Sequence, residues 1–256
     1  MHFAISITQK LRKLVRSLNQ KTHRDQHELF IAEGLKLCQE VNKSDFEVEL
    51  IVVRDSANAE VIELCENYAD QGVPIYNAAK HQFDQMATTK SPQGIVGVVN
   101  QMDLDLFPGE NFIVLDGVND PGNLGTIIRT AEWFGYKQVI LCNDCADHYN
   151  PKAVRSSMGS VFRVTVRKTD DVMGLINDHF PNQTLYGATL DSEKALRDLK
   201  IKGNYGIIFG SESHGISEVL LNNLGQNFTI RGVGSADSLN VAIAAGVTFN
   251  HFALNS

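Results

Sequence analysis

The sequence predicts an α/β protein of two domains, the second built on a parallel sheet whose strand ends carry the chemistry. Three observations lead there. Short apolar runs alternate with helix-period segments along nearly all of the 256 residues, the pattern of strands and helices packed in layers. One stretch, 101–111, has acids, Pro108 and Gly109 but no apolar period, and reads as a linker. Beyond it, three segments of turn chemistry follow apolar or glycine-rich stretches and open helices, which is how an open α/β sheet presents its ligand site.

Before the linker, residues 7–18 read as helix, 29–31 as extended, 35–41 as helix and 48–53 as extended. Residues 59–68 are helical again, 73–76 extended, 81–86 helical and 95–99 extended, so 1–100 forms a compact α/β module of ordinary domain size. After the linker, strands are predicted at 112–115, 138–141, 162–166, 185–188, 205–209 and 228–230, with helical stretches between them. That alternation across 112–256 implies a parallel sheet covered on both faces, and pattern alone predicts an unknotted one.

Composition narrows the class. With 43% hydrophobic and 21% charged residues the chain is globular. No apolar run approaches membrane-spanning length and no secretory signal is visible, so a soluble, cytoplasmic protein with no membrane partner is expected. Four scattered cysteines do not make a disulfide scaffold and point to a reducing compartment. Cys142 and Cys145 form a C-x-x-C with His148 nearby, but a structural zinc site wants four such ligands and no second pair exists; no metal is expected.

The net charge of −7 argues against nucleic acid until its distribution is considered. From Met1 to Arg24 there is no acid, while Lys10, Arg12, Lys13, Arg16, Lys21 and Arg24 crowd together. Such a start fits an organellar transit peptide, a solvated basic helix face or an RNA contact. Its helical pattern runs on into Arg24-Asp25, which favours RNA over the transit peptide.

The chemistry concentrates in three places. The run Phe112-Ile113-Val114-Leu115 leads to Asp120-Pro121-Gly122-Asn123-Leu124-Gly125-Thr126-Ile127-Ile128-Arg129, a rigid turn feeding a helix that carries one Arg. Proline and two glycines allow close backbone approach, and Asn123 either caps the helix or faces the site. The run Tyr205–Phe209 opens into Gly210-Ser211-Glu212-Ser213-His214-Gly215. After Gly232-Val233-Gly234, Ser238-Leu239-Asn240 begins the final helix. Each has an ordinary reading as turn or cap; their order at element ends is what makes them informative.

These three motifs resemble those of the SpoU/TrmH family of RNA ribose 2′-O-methyltransferases, within the SPOUT superfamily. The likeness spans the chain: residues 112–252 match the catalytic domain. His23-Arg24-Asp25 through Phe30-Ile31-Ala32-Glu33-Gly34, and Thr89-Lys90-Ser91-Pro92-Gln93-Gly94-Ile95, match an amino-terminal RNA-binding domain of the L30e-like kind. The resemblance implies a carboxyl-terminal trefoil knot, S-adenosyl-L-methionine as cofactor, RNA as partner and a homodimer with shared sites. Ribosomal RNA is favoured over transfer RNA because of the separate amino-terminal module.

By the same resemblance Arg129 sits at the acceptor hydroxyl, with Asn123 and Glu212 holding it and Ser238 and Asn240 lining the site. Gly210, Ser211, Glu212, Ile230, Gly232, Ser238 and Leu239 would contact the cofactor. On sequence alone Glu212 is equally a helix-start acid and Ser238 or Asn240 a cap. The segment Arg155-Ser156-Ser157-Met158-Gly159-Ser160 also resembles the family, either as an RNA contact or as a helix ending at its glycine. Ala242 and Gly246 are four apart, a spacing that serves either a dimer contact or internal packing.

Two departures stand out: Arg231 where the family usually has proline, and Ala242 where serine is frequent. They keep open a non-catalytic RNA-binding SPOUT protein with impaired cofactor binding. A Rossmann or P-loop enzyme is set aside, since neither G-x-G-x-x-G nor G-K-[ST] follows any predicted strand.

Overall fold

The computed structural model describes residues 4–255, so Met1 to Phe3 of the basic start and Ser256 of the predicted second domain lie outside the described residues. The chain divides into two compact units. One holds the residues up to Met102 together with Tyr149–Phe162; the other holds Asp103–His148 and the residues from Arg163 onward.

The first unit runs β1 (Ile5–Ser6), α1 (Gln9–Ser17), α2 (Lys21–His27), β2 (Leu29–Glu33), α3 (Leu35–Val41), β3 (Val48–Arg54), α4 (Ala59–Asp70), β4 (Ile75–Ala78), α5 (Lys80–Asp84) and β5 (Ile95–Asn100). Its five strands lie in the order β1-β4-β3-β5-β2, parallel from β1 to β3 and antiparallel through β5 and β2. Successive residues of a strand face opposite ways. Val52, Val96 and Val98 accordingly pack on Val15, Leu18 and Phe83, while Ile51, Val53 and Ile95 pack on Cys38, Val61, Leu64 and Tyr68.

The basic start is not one helix. It breaks after Leu18, and α2 begins at Lys21 with Gln20 as its cap. Arg24 folds back across the break: it is 1% exposed and its Nη1 donates to the Leu18 carbonyl at 2.8 Å. A buried guanidinium is tolerated only when its donors are met, so Arg24 serves the fold and is removed from any phosphate-binding face. Lys21 pairs with Asp25. What remains on the surface of α1 is Lys10, Lys13 and Arg16, with Arg12 half-buried.

The second unit begins with β6 (Phe112–Asp116), α6 (Pro121–Trp133) and β7 (Gln138–Cys142). The chain then forms α7 (Pro151–Ser157) and a 3₁₀ turn at Ser160–Phe162, both of which belong to the first unit. Phe30 stacks on Tyr149 and Phe162 with ring centroids 4.4 and 6.2 Å apart, and Phe46 meets Phe162 edge-on at 5.5 Å. Gly159, at φ +99°, passes so close to Glu40 that a Cβ there would fall 2.6 Å from its Cγ. By sequence this segment belongs to the second domain; aromatic packing puts it with the first. The strand expected at 162–166 shifts for the same reason, because Phe162 is committed to that packing and β8 starts at Thr165 (Thr165–Lys168).

The second unit continues with α8 (Val172–His179), β9 (Thr184–Ala188), β10 (Tyr205–Gly210), α9 (Glu218–Leu221), β11 (Gln226–Phe228) and α10 (Val241–Asn255). All six strands are parallel, in the order β11-β9-β10-β6-β7-β8. One face packs Phe112, Val114, Ile140 and Ile208 against Val172, Ile176, Phe180 and Leu220. On the other, Tyr186, Tyr205 and Phe209 meet Phe249 and Phe252 of α10 at centroid distances of 4.9–5.7 Å. Burial on both faces is why these strands read as unbroken apolar runs. α10 also packs on α6, where a Cβ on Gly246 would lie 3.7 Å from Thr130, and Ala242 is buried; the Ala242–Gly246 spacing serves internal packing. Among the described residues no helix is long and apolar enough to cross a membrane.

Candidate active site

A parallel sheet puts the carboxyl ends of all its strands on one edge, and β6 and β10 are neighbours. The loops leaving these two strands are therefore neighbours as well. After β6, Asp120 caps α6 by accepting from the Asn123 backbone N–H at 2.8 Å, with Pro121 in the first turn. Because Asp120 takes the capping role, the Asn123 side chain is left for the site. After β10, Ser211 and Gly215 exchange backbone hydrogen bonds at 3.0 Å in each direction, closing a tight loop that carries Glu212. Gly210 sits under that loop, where a Cβ would fall 2.0 Å from the Gly215 carbonyl carbon. No larger residue fits there.

The third contribution comes from the start of α10. Asn240 caps it, its Oδ1 accepting from the N–H of Ala242 at 3.0 Å and of Ile243 at 3.4 Å. Its Nδ2 donates to Asn123 Oδ1 at 3.1 Å and to Glu212 Oε1 at 3.2 Å, and Asn123 Nδ2 donates to the same Glu212 oxygen at 3.3 Å. Two amides from opposite ends of the unit thus converge on one carboxylate. Glu212 is not a helix-start acid: α9 begins six residues later, at Glu218.

Arg129 stands apart. It is exposed on α6, and among the described residues it makes no hydrogen bond or ion pair. The expectation that Asn123 and Glu212 hold it is not met within one chain, because those side chains bond each other and Asn240. The helix explains the separation: six residues from Asn123 amount to about 9 Å of rise and a turn away from its face. Ser238 is exposed and has no hydrogen-bond partner among the described residues.

The expected cofactor loop has a consistent character. Residues 231–240 are all exposed, and among the described residues no backbone–backbone hydrogen bond engages 230–239. Leu239 leaves 47% of its surface open, and nothing lies within 4 Å of a Cβ placed on Gly232. Unpaired backbone donors and acceptors beside an apolar side chain suit a nucleoside, which is recognised by its edges and its flat face. The unusual Arg231 anchors this loop, its Nη2 donating to the Glu193 carbonyl at 2.9 Å.

Asp116, at the end of β6, escaped the sequence reading. It is 3% exposed and accepts from the Ser217 N–H at 2.7 Å and from the Asn143 amide, tying the loop after β10 to that after β7. A lone acid closing a run of four apolar residues was the signal. Cys142 and Cys145 are buried and both thiols donate to the Leu115 carbonyl, at 3.5 and 3.1 Å. Desolvation pushes both thiols up from their ordinary pKa, so neither is a ready nucleophile or metal ligand. Among the described residues no group of three or more His, Cys, Asp or Glu is placed to hold a metal ion.

Comparisons with known proteins agree with this geometry. Residues 110–250 match the SpoU rRNA Methylase family, and residues 10–97 match the MRM3-like substrate binding domain. The chain is 29% identical over 236 residues to the 23S rRNA (guanosine(2553)-2′-O)-methyltransferase RlmP of Bacillus subtilis, covering 92% of this chain and 93% of that one. It is 30% identical over 208 residues to the 23S rRNA (guanosine-2′-O-)-methyltransferase RlmB of Acinetobacter baylyi, covering 75% and 82%. Among solved structures, a TrmH-family protein from Porphyromonas gingivalis superposes with a TM-score of 0.83 at 28% identity, covering 98% of this chain and 99% of that one. An AdoMet-bound rRNA methyltransferase from Sinorhizobium meliloti gives 0.84 at 28% identity, covering 97% and 95%. With more than half its length matched and its three polar motifs drawn to one edge of a parallel sheet, this chain belongs to the SpoU rRNA methylase family.

Proposed function

We propose that the protein transfers a methyl group from S-adenosyl-L-methionine to the ribose 2′-hydroxyl of a guanosine in large-subunit ribosomal RNA. The observation that carries this reading is the convergence of Asn123, Glu212 and Asn240, beside a loop whose backbone is unpaired. The cofactor supplies a methyl group on a positively charged sulfur. Ile230, Gly232 and Leu239, with Gly210 and Ser211, would hold it through backbone groups and apolar contact.

Arg129 serves the acceptor. Guanidinium is always protonated in proteins, so its role is to orient the RNA phosphate and ribose and to stabilise charge developing on the 2′-oxygen as its proton leaves. Since Arg129 has no partner among the described residues, a second copy supplies the complement. Trp133, Ile243, Val247 and Leu254 support such a homodimer, being 84%, 57%, 43% and 75% exposed on α6 and α10. Apolar side chains so placed on two packed helices suit an interface. The contact between Asn240 and Glu212, which draws the loop before α10 against the loop after β10, is what a carboxyl-terminal trefoil knot would produce. A ribosomal RNA substrate is consistent with a cytoplasmic protein.

Mapping ribose methylation across large-subunit RNA from a strain lacking the gene tests the reading. One guanosine loses its 2′-O-methyl group and regains it when the gene is returned; an unchanged map contradicts it. Calorimetry with S-adenosylmethionine separates the enzyme from a non-catalytic RNA-binding protein, and the anchoring of Arg231 favours the enzyme.

A further inference from the structure

The first unit carries a cleft of about 380 Å³ that the methyl-transfer site does not use, lined by Asn19, Thr88, Asn150, Pro151, Lys152 and Arg155. Three separate segments build it: the turn after α1, the loop after α5 and the start of α7. The wall holds two cations, two amides and a hydroxyl, with no carboxylate, in a chain of net charge −7. Asn150 Oδ1 is already occupied, accepting from the Lys152 N–H at 2.8 Å, which leaves its amide N–H groups as donors.

The arginine in this wall is held from behind. Glu33 is 8% exposed and takes four donors from two consecutive residues: the backbone N–H of Thr88 at 2.6 Å and of Thr89 at 3.3 Å, and both threonine hydroxyls. A hydroxyl has one hydrogen. With that of Thr88 committed to Glu33, Thr88 Oγ1 meets Arg155 as an acceptor, and Arg155 Nη1 donates to it at 3.2 Å. The Arg155 guanidinium has no other hydrogen bond among the described residues, so four of its five N–H groups are left on a half-buried side chain that lines the cleft. An arginine fixed at one edge of its fork and open at the other is suited to a phosphate.

The surroundings favour a polyanion over a single ion. Lys13, Arg16 and Asn19 follow at three-residue intervals along α1 and the turn that ends it, with both cations exposed. Residues so spaced share one side of a helix, and the line ends in the cleft. The geometry points to a phosphodiester site for the RNA backbone, in which Arg155 contacts phosphate and Glu33, acting through Thr88, is a positioning residue. This inference rests on the methyltransferase reading only for the kind of RNA.

Filter binding of the full chain to an unmodified 23S rRNA transcript across a salt series tests it. Arg155→Ala lowers affinity roughly tenfold at low salt and reduces the log–log salt slope by roughly 0.7–0.9, one phosphate contact. Thr88→Val keeps every charge, so its slope stays at the wild-type value while affinity falls by about threefold. Both variants keep the wild-type far-ultraviolet circular dichroism and denaturation midpoint, which a collapsed first unit would not. Wild-type affinity and slope in Arg155→Ala overturn the site. Wild-type affinity in Thr88→Val overturns the positioning role, and is the deciding result if Arg155→Ala fails to fold. RNA binding that depends on Arg155 without methyl transfer would sink the activity and leave the cleft standing; transfer with a slope indifferent to Arg155 does the reverse.

Discussion

Arg24 in the first unit and Arg129 in the second are both helix arginines in a chain that resembles RNA-binding enzymes, yet their surroundings are opposite. Arg24 is 1% exposed and donates to the carbonyl that ends α1. Arg129 is exposed and engages nothing among the described residues. The contrast extends to the acids: Glu33 is buried and saturated by two threonines, whereas Glu212 is exposed and gathers two amides from distant segments. The first unit places its buried charges where they fix loops and helix junctions. The second buries Asp116 in the same way but leaves Glu212 and Arg129 exposed on the elements that follow β10 and β6, the places where the proposed function needs them.

Substitutions sharpen that contrast, beginning with the largest effect. Arg129→Ala is expected to lower methyl transfer by about 10²–10³-fold, the usual cost of removing one group that stabilises developing charge. Its melting temperature and cofactor affinity, read by scanning calorimetry and titration, stay at wild-type values. Arg24→Ala behaves oppositely, destabilising the first unit by about 3 kcal/mol through an unmet carbonyl and a vacated buried site. Chemical denaturation reports that loss, and an Arg24→Ala protein of full stability would erase the distinction between the two arginines.

Combined replacement of Lys10, Lys13 and Arg16 by Ala tests what the structure leaves of the basic start. The salt slope for RNA binding falls by roughly 2, about 0.7 for each of three contacts, with stability unchanged. A slope that does not move would make these residues a solvated face. Asn240→Ala is expected to cost about 1 kcal/mol of stability for the lost cap of α10, and it also frees Glu212, so transfer falls with it.

The thiols give a pH dependence of known sign. Burial pushes Cys38 and Cys65 up to about 12. Groups held neutral in the folded state contribute stability that is complete below their unfolded pKa, near 9, and that fades as pH rises toward 12. Stability measured from pH 8 upward therefore declines above about 9, and a flat profile would mean these thiols are open to water.

Much of this was legible in the sequence. The run Phe112–Leu115, its turn and the helix carrying Arg129 read correctly because two-sided burial makes parallel strands unmistakably apolar. The three polar motifs were visible for the same topological reason, since each marks an element end. Long-range packing was not. Nothing local shows that Tyr149 and Phe162 stack on Phe30, so residues 149–162 were kept with their sequence neighbours. Arg24 looked like any basic residue because burial depends on what folds over it. Asn123, Glu212 and Arg129 were read as one cluster, but helix geometry separates the arginine from the other two.

The proposed reaction is transfer of a methyl group to a ribose oxygen. It is tested by incubating the purified protein with unmodified 23S rRNA and methyl-labelled S-adenosylmethionine, then hydrolysing the RNA in alkali. A methylated 2′-hydroxyl blocks cleavage at its own linkage, so the predicted result is label confined to one alkali-resistant dinucleotide and absent with Arg129→Ala. Label in mononucleotides, the mark of base methylation, or undiminished transfer by Arg129→Ala, would contradict ribose methylation directed by these residues.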